Sequence, residues 1–573
     1  MNGFLLSIGV LPKLTNKNKR TFYCQNEDAS YYLSALKTKI NKFDKTYFED
    51  DKYIIAIEGI VLNKTELITQ NNNWIATIIA LYTEKGEVFF KDFRGSFSGV
   101  LFDKKTDKWI IYTDHIGSKH VYYNKIGINK YLFSSKIIEI VNFKKENNQK
   151  VVLDTNAAYM LLSYGYIISK YTLTKDIFKL EAGHYIVIEN NKLTVKRYHI
   201  FSNKPDYKSS DSQLLNRLNN YFNQAVKRQF SKDVELDLDH LVGLSGGLDS
   251  RMTSLLAHKL GYIKQLNFSF SQSDYLDETI PKKIAADFKH EWIFKSLDNG
   301  LFLKNIDETT LLSEGNVNYF GLAHGNSLYK NLNFKNFGII HTGQLGEVIS
   351  GTYNTYKIYN KDFSVESGAF SKKLISKINF TDINLDFENE EIFKFYLRGF
   401  SGMNAGLLAL QHYSETMAPF YDVDLMEYAL SIPVEKRYNH KIYMQWISKY
   451  QTEATNYIWE KTGNKPVKSF YDIDVRYKGK KITIKKVFRQ LKFFKPQVNT
   501  KNHMNPFDYW YNTNPEIKDF FNSYFAVNVE LLKEYSELKT DAIHLFKTGT
   551  ILEKGLVLSL LSYLKVIHNQ NEL

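Results

Sequence analysis

Cysteine is nearly missing: the chain of 573 residues carries one, Cys24. That count excludes a disulfide framework and a cysteine-rich zinc site. Proline is scarce at 9 and glycine modest at 30, so long flexible linkers are not expected. No run of about 18 apolar residues occurs, which excludes a helical membrane span. The opening MNGFLLSIGVLPKL has neither the basic start nor the small-residue cleavage site of a secretory signal. Together these absences lead to the expectation of a cytoplasmic protein.

What is present reads as a globular chain. Hydrophobic residues make up 43% and charged residues 24%, with a mean hydropathy of −0.36. The length predicts about two to four domains, each with a full core. Net charge is +13 and the isoelectric point about 9.1. The positive charge is scattered, which argues against a nucleic-acid stripe. The densest run, Tyr477–Lys486 (YKGKKITIKK), reads as a solvated face.

The pattern changes near residue 200. Before it, turn residues separate short apolar runs: Phe4–Val10, Tyr53–Leu62, Gly99–Phe102, Trp109–Tyr112, Tyr131–Phe133 and His184–Glu189. One helix, Trp74–Thr83, interrupts them. The polar stretch Phe201–Gln213 is the expected boundary. Beyond it a helix, Leu214–Gln229, leads into alternating strands and helices. These are strand His240–Leu244, helix Arg251–Leu260, strand Gln265–Phe270, helix Thr279–Phe288 and strand Gly338–His341. Such alternation predicts a parallel α/β sheet. From Glu390 the chain reads as mostly helical, ending in a helix over Gly555–Ile567.

The most informative segment is HLVGLSGGLDSRMTSLLAHKLG, His240–Gly261. An apolar strand runs into Ser245-Gly246-Gly247-Leu248-Asp249-Ser250, and a helix follows. Two glycines let backbone approach an oxyanion closely. Free N–H groups at a helix start attract phosphate, and Ser245 and Ser250 add hydroxyls. Asp249 is anionic, so it suits Mg²⁺ bridging to a phosphate rather than the phosphate itself. The loop is not GxxxxGK[ST], which disfavours γ-phosphate transfer.

SGGLDS after a strand resembles the PP-loop of the ATP pyrophosphatase superfamily. Within it, the chain is similar to the asparagine synthetase family, whose relatives include β-lactam synthetase, lasso-peptide cyclases and amidotransferases of surface-polysaccharide clusters. The resemblance implies splitting of ATP between its α and β phosphates, adenylation of a carboxylate, and attack by ammonia or an internal amine. ATP and Mg²⁺ are the implied cofactors. Implied ATP contacts fall on Leu244, Ser245, Gly246, Gly247, Asp249, Ser250, Ser269 and Gly343, and metal ligands on Asp249 and Glu347.

Three further segments carry this resemblance. Ile339–Gly351 (IIHTGQLGEVISG) is similar to the family's S/T-G-E-G-S/G-D-E-x-x-G-G, with Glu347 at its metal-binding aspartate and Gln344 in place of its glutamate. Gln344 cannot act as a base or carry charge. Tyr413–Asp422 (YSETMAPFYD) resembles VEARVPFLD, which assigns Glu415 to orienting substrate or accepting a proton, with Met417 replacing an arginine. Ile458–Pro466 (IWEKTGNKP) resembles a lysine-bearing loop that closes over the adenylate, with Lys461 as first and Lys465 as second choice. Asp277 and Glu278 read as the acidic first turn of a helix.

The first 200 residues resemble the family's N-terminal-nucleophile glutaminase. Phe93–Asp103 (FRGSFSGVLFD), Thr113–Tyr123 (TDHIGSKHVYY), Glu181–Tyr185 (EAGHY) and Arg197-Tyr198 carry that likeness. The glutaminase chemistry needs an exposed cysteine whose own amine serves as base. Asn2 occupies that position, Glu58-Gly59-Ile60 replaces the oxyanion segment Asn-Gly-Glu-hydrophobic, and Thr113 replaces an arginine. A fold retained without glutamine hydrolysis is therefore expected.

The expected architecture is an Ntn-type αββα sandwich over residues 1–200, followed by a PP-loop parallel α/β synthetase domain with a helical C-terminal part over 214–573. The expected partners are a small-molecule carboxylate, aspartate or a sugar uronic acid, and ammonia or an amine, with a separate glutaminase as one source. A homodimer is compatible with this, and no nucleic acid is expected. A catalytically degenerate nucleotide-binding homologue is the alternative, and a nucleic-acid modifier is disfavoured by the glutaminase-like domain in front of the loop.

Overall fold

The computed structural model describes residues 3–10, 19–25, 30–36, 46–68, 73–466, 474–477, 480–483 and 501–568. Asn2 and part of the basic run Tyr477–Lys486 lie outside the described residues.

Two six-stranded antiparallel sheets build the N-terminal part. One has the order Ile177–Lys179, Tyr122–Gly127, Lys130–Ser134, Phe4–Ile8, Ser30–Leu36, Lys19–Gln25. The other runs Lys192–Arg197, His184–Glu189, Lys108–Thr113, Gly95–Asp103, Tyr53–Val61, Thr46–Glu49. Side chains alternate across a strand, so one strand can feed two cores. Ile54 and Ala56 join Leu6, Val100 and Ile111 between the sheets. Ile55 and Ile57 turn outward onto Phe89, Phe93 and the helix Trp74–Lys85. Helices Ile137–Glu146 and Thr155–Tyr164 cover the first sheet's outer face. The result is the expected αββα sandwich.

A 25-residue helix, Asp211–Glu235, follows, opened by a capping box in which Ser210 and Gln213 exchange hydrogen bonds. It packs under a five-stranded parallel sheet of order Glu291–Ser296, Gln265–Ser271, Asp239–Gly243, Phe337–His341, Thr416–Met417. Helices Leu248–Lys259 and Leu276–Phe288 cross between its strands. The cleft at a strand-order reversal, between Asp239–Gly243 and its two neighbours, is where α/β sheets open a ligand site.

The C-terminal helices close the molecule against the N-terminal part. The helix Ile551–Tyr563 is buried on nearly every side and touches Thr155–Tyr164, so one core spans chain positions roughly 400 apart. Among the described residues, no helix is long and apolar enough to cross a membrane.

Gly555 faces the Phe320 ring so closely that an added Cβ would lie 2.7 Å from its carbons. Helix propensity alone favours Gly555→Ala by about 1 kcal/mol. Packing opposes it, and overpacked cores lose about 1–3 kcal/mol. We expect Gly555→Ala to lower the thermal midpoint of unfolding, measured by circular dichroism.

Candidate functional site

The site grows from the end of strand Asp239–Gly243. Gly247 caps the helix Leu248–Lys259, and no side chain caps its first turn. Its N-terminal N–H groups are thus left for an oxyanion, with the helix dipole behind them. The loop before it is held internally: the Ser250 hydroxyl accepts from Ser245 N–H at 2.9 Å and shares a hydrogen bond with the Ser245 hydroxyl at 2.8 Å.

A buried arginine fixes this loop from below. Arg251 is fully buried and donates to the carbonyls of Gly246 (3.1 Å), Ala454 (3.1 Å), Tyr457 (3.3 Å) and Ile458 (2.7 Å). Glu460 N–H donates to the same Gly246 carbonyl at 3.1 Å. The segment bearing Lys461 is thereby bound onto the loop. Lys461 lies exposed, its ammonium 5.7 Å from the Trp459 ring centre and near enough to Asp249 to act on its charge. Lys465 is exposed.

The segment Thr342–Gly346 closes the other side. A Cβ on Gly343 would lie 2.2 Å from Ser250 N, and one on Gly346 2.2 Å from the Asp249 carboxyl carbon. Neither position admits a side chain, so backbone packs directly on the loop. Between them Leu345 is buried at φ +66°. A left-handed leucine stores roughly 1–3 kcal/mol and is the kind of strain that gathers at functional sites. Glu347 begins the next turn, Glu347–Ser350. Burial, reinforced by the Glu347 carboxylate, pushes the Asp249 carboxyl up to about 7, with the Tyr443 hydroxyl and Lys461 opposing. Two carboxylates held together in a cleft form the donor set of a hard divalent cation. Glycine-cradled backbone, an uncapped helix start and this acid pair fit Mg²⁺ with a polyphosphate.

A cavity of about 320 Å³ lies over the loop. Leu244, Ser245, Gly247, Asp249, Ser250, Ser269, Gly343 and Gln344 all line it. Gln344 Oε1 accepts from the Tyr421 hydroxyl at 2.9 Å. The far wall is the glycine-bearing helix Phe320–Tyr329, where His324 stacks on Phe270 with ring centres 4.8 Å apart. Burial pulls the His324 imidazole down to about 4, so it is neutral.

Two expectations are corrected. Ser269 lines the cavity, but its hydroxyl donates to Leu244 O at 2.6 Å and accepts from the Trp292 indole at 3.0 Å. Its proton is committed to the sheet, so toward a ribose it can act only as an acceptor. Glu415 is absent from the cavity wall. It is 1% exposed and pairs with Lys119 of the N-terminal domain at 2.7 Å. Burial depresses the Lys119 ammonium, but Glu415 and Glu58 outweigh it and hold it above its ordinary value. Glu415 immediately precedes strand Thr416–Met417, its carbonyl accepting from Ile340 N–H at 2.8 Å, and its side chain meets Lys119 at the domain interface.

Sequence reading missed three contributors. Asp277 is more than an acidic first turn: it accepts Gly246 N–H at 2.7 Å, lines the cavity, and burial lifts its carboxyl to about 6. Arg251 and His324 carried no local signal, because their partners lie far along the chain. The Arg251 contacts span more than 200 residues.

Residues 46–199 match the glutamine amidotransferase domain. The chain is 28% identical over 355 residues to the putative asparagine synthetase [glutamine-hydrolyzing] 2 of Methanocaldococcus jannaschii, an alignment covering 58% of this chain and 67% of that one. It is 25% identical over 254 residues to the asparagine synthetase [glutamine-hydrolyzing] 2 of Bacillus subtilis, covering 40% and 33%. It is 23% identical over 221 residues to the asparagine synthetase B [glutamine-hydrolyzing] of Escherichia coli, covering 37% and 34%. The chain thus spans only about a third of the length of the last two. A glutamine phosphoribosylpyrophosphate amidotransferase of B. subtilis, solved with ADP and GMP, aligns over 51% of this chain and 59% of that one at 8% identity and a TM-score of 0.21. The matched domain and the curated relatives define an amidotransferase-type ligase class. Over these stretches the chain is similar to asparagine synthetases.

Removing Lys119 leaves Glu415 buried and unpaired, an arrangement that costs about 3–5 kcal/mol. Lys119→Met should lower the thermal midpoint sharply, and Lys119→Met with Glu415→Leu should recover most of the loss, read by calorimetry. Asp249 has its own pH signature in chelator. Its folded value, about 7, stands above the ordinary 3.8. Between those values the native state keeps a proton that the unfolded chain has released, so this group's contribution to stability falls as pH rises. Asp249→Asn should flatten that fall and melt above wild type at pH 7.5.

Proposed function

We propose that this chain is an ATP-dependent carbon–nitrogen ligase that adenylates a carboxylate with release of pyrophosphate and then forms an amide. The observation carrying this reading is Asp249 beside an uncapped helix start in a cavity of about 320 Å³, with the Glu347 carboxylate near enough to act on its charge. Mg²⁺ held by that pair would supply charge neutralisation at the phosphate oxygens. The uncapped first turn of Leu248–Lys259 binds and orients phosphate through backbone N–H groups. Lys461, exposed and near enough to act on the Asp249 charge, would favour the departing pyrophosphate. The apolar wall of Phe268, Leu322, Tyr329 and Leu410 excludes water from the nucleotide.

The nitrogen reaches this site from solution, from a separate glutaminase or as an amine on the substrate. Asn2 has no thiol, and Glu58 puts an acid where an oxyanion needs donors. Gln344 is neutral and held by Tyr421, so it takes no proton from an attacking ammonium; the nucleophile must enter as the free amine. The acceptor is a small carboxylate, aspartate or a sugar uronic acid of surface-polysaccharide synthesis, in the cytoplasm. Gln344 and Met417 favour a second reading, a nucleotide-binding homologue without turnover.

The test is pyrophosphate and AMP release from Mg-ATP with ammonium and a panel of aspartate and hexuronic acids. Acceptor-dependent release is expected with ammonium, none with glutamine alone, and a fall of at least about 100-fold in Asp249→Ala. ATP bound without AMP under any condition selects the second reading.

A further inference from the structure

A second cavity lies between the two domains. It measures about 40 Å³, room for a few waters or one small oxyanion. His120, Ser169, Lys179 and Glu181 line it from the N-terminal domain, and Asn384 and Ser401 from the other side. Two of these side chains have unmet hydrogen-bonding capacity. Lys179 is 5% exposed, and its Nζ has no hydrogen-bond partner among the described residues. His120 is equally buried, and its Nε2 has none either.

An unpaired buried ammonium is among the costliest groups a fold can retain. Burial pulls Lys179 down to about 8, with Glu181 opposing, so it remains mostly charged at neutral pH. Glu181 is already engaged, since its Oε1 accepts from the Ser169 hydroxyl at 2.8 Å. Lys119, Lys136 and Lys179 all add positive potential at His120, and burial keeps that ring neutral. A charged ammonium and an imidazole nitrogen, both without a hydrogen-bond partner among the described residues, thus share one small cavity beside the Glu181 carboxylate, and an oxyanion would meet both nitrogens.

We propose that this cavity binds a small oxyanion of the carboxylate, bicarbonate or phosphate class between Lys179 Nζ and His120 Nε2. Binding there requires the His120 tautomer in which Nδ1 accepts a hydrogen bond from Tyr122. Asn316 donates to the Tyr122 oxygen at 2.7 Å, and the Tyr122 hydroxyl is 3.0 Å from His120 Nδ1. With the tyrosine donating to Nδ1, the ring proton sits on Nε2 and faces the anion.

The site is wired to the nucleotide cleft. Leu397, Phe400 and Ser401 of the π-helical run Phe395–Met403 line the anion cavity, and the same helical stretch continues to Gly406, Ala409 and Leu410 of the nucleotide cavity. That stretch is tied to the N-terminal domain by Asn404 donating to Ile116 O at 2.7 Å and Gln411 to Ser118 O at 3.0 Å. An occupant between the domains therefore bears on the wall of the nucleotide cleft.

The test is calorimetric titration of the full chain with phosphate, acetate and bicarbonate at fixed ionic strength. A variant carrying Ser245→Ala and Ser250→Ala removes hydroxyls at the other phosphate-binding loop, and Lys179→Met removes the proposed ligand. At least one oxyanion should bind with an affinity that survives the double serine change and falls at least about tenfold in Lys179→Met. At pH 8.5 binding should take up protons, because an anion raises the Lys179 ammonium. Without anion Lys179→Met should melt at or above wild type. Lys179→Gln serves if the methionine variant does not fold. Equal affinity in wild type and Lys179 variants, loss with the serine change alone, or no binding by any of the three anions would overturn the proposal.

Discussion

Asp249 and Glu347 are two half-buried acids, the second near enough to act on the charge of the first. Burial, and after it the Glu347 carboxylate, lifts the Asp249 carboxyl to about 7, which is the cost of holding an acid at this loop. The fold offsets it with rigid backbone: Gly343 and Gly346 press onto the phosphate loop, Leu345 is held left-handed, and Arg251 locks Gly246 to the 454–458 segment. A site that is unfavourable when empty is relieved when a cation arrives. That is the physical argument behind the proposed metal–polyphosphate ligand.

The two domains are joined by polar groups as well as by a shared apolar core. Lys119 and Glu415 meet in a buried pair, and Asn404 and Gln411 reach backbone carbonyls of the 113–118 loop. Asp114 organises that loop by accepting from Ile116 N–H and both the N–H and hydroxyl of Ser118. That loop is thus a point of contact between the N-terminal sandwich and the second domain.

The sequence carried the parts of this fold whose signal is local. Strands Tyr53–Val61, Lys108–Thr113 and His184–Glu189 were legible from apolar runs between turns, and the phosphate loop from glycines and serines at fixed offsets. Strand Glu291–Ser296 was missed because it is an edge strand, half-exposed along its length, with no clean alternation. Strand Thr416–Met417 is two residues long and has no signature, and Glu415 just before it pairs with Lys119 and not with the cleft. Arg251, His324 and the Lys179 cavity were illegible for a different reason. Each depends on contacts between segments distant in the chain, and local pattern holds no record of those.

The central claim is that Asp249 and Glu347 together form a metal–nucleotide site. Calorimetric titration of Mg-ATP into the full chain, beside Asp249→Asn, Glu347→Gln and a chelated control, tests it most directly. Saturable one-to-one binding that requires Mg²⁺ and weakens at least about tenfold in either variant is the expected result. Binding indifferent to Mg²⁺ and to both substitutions would contradict it.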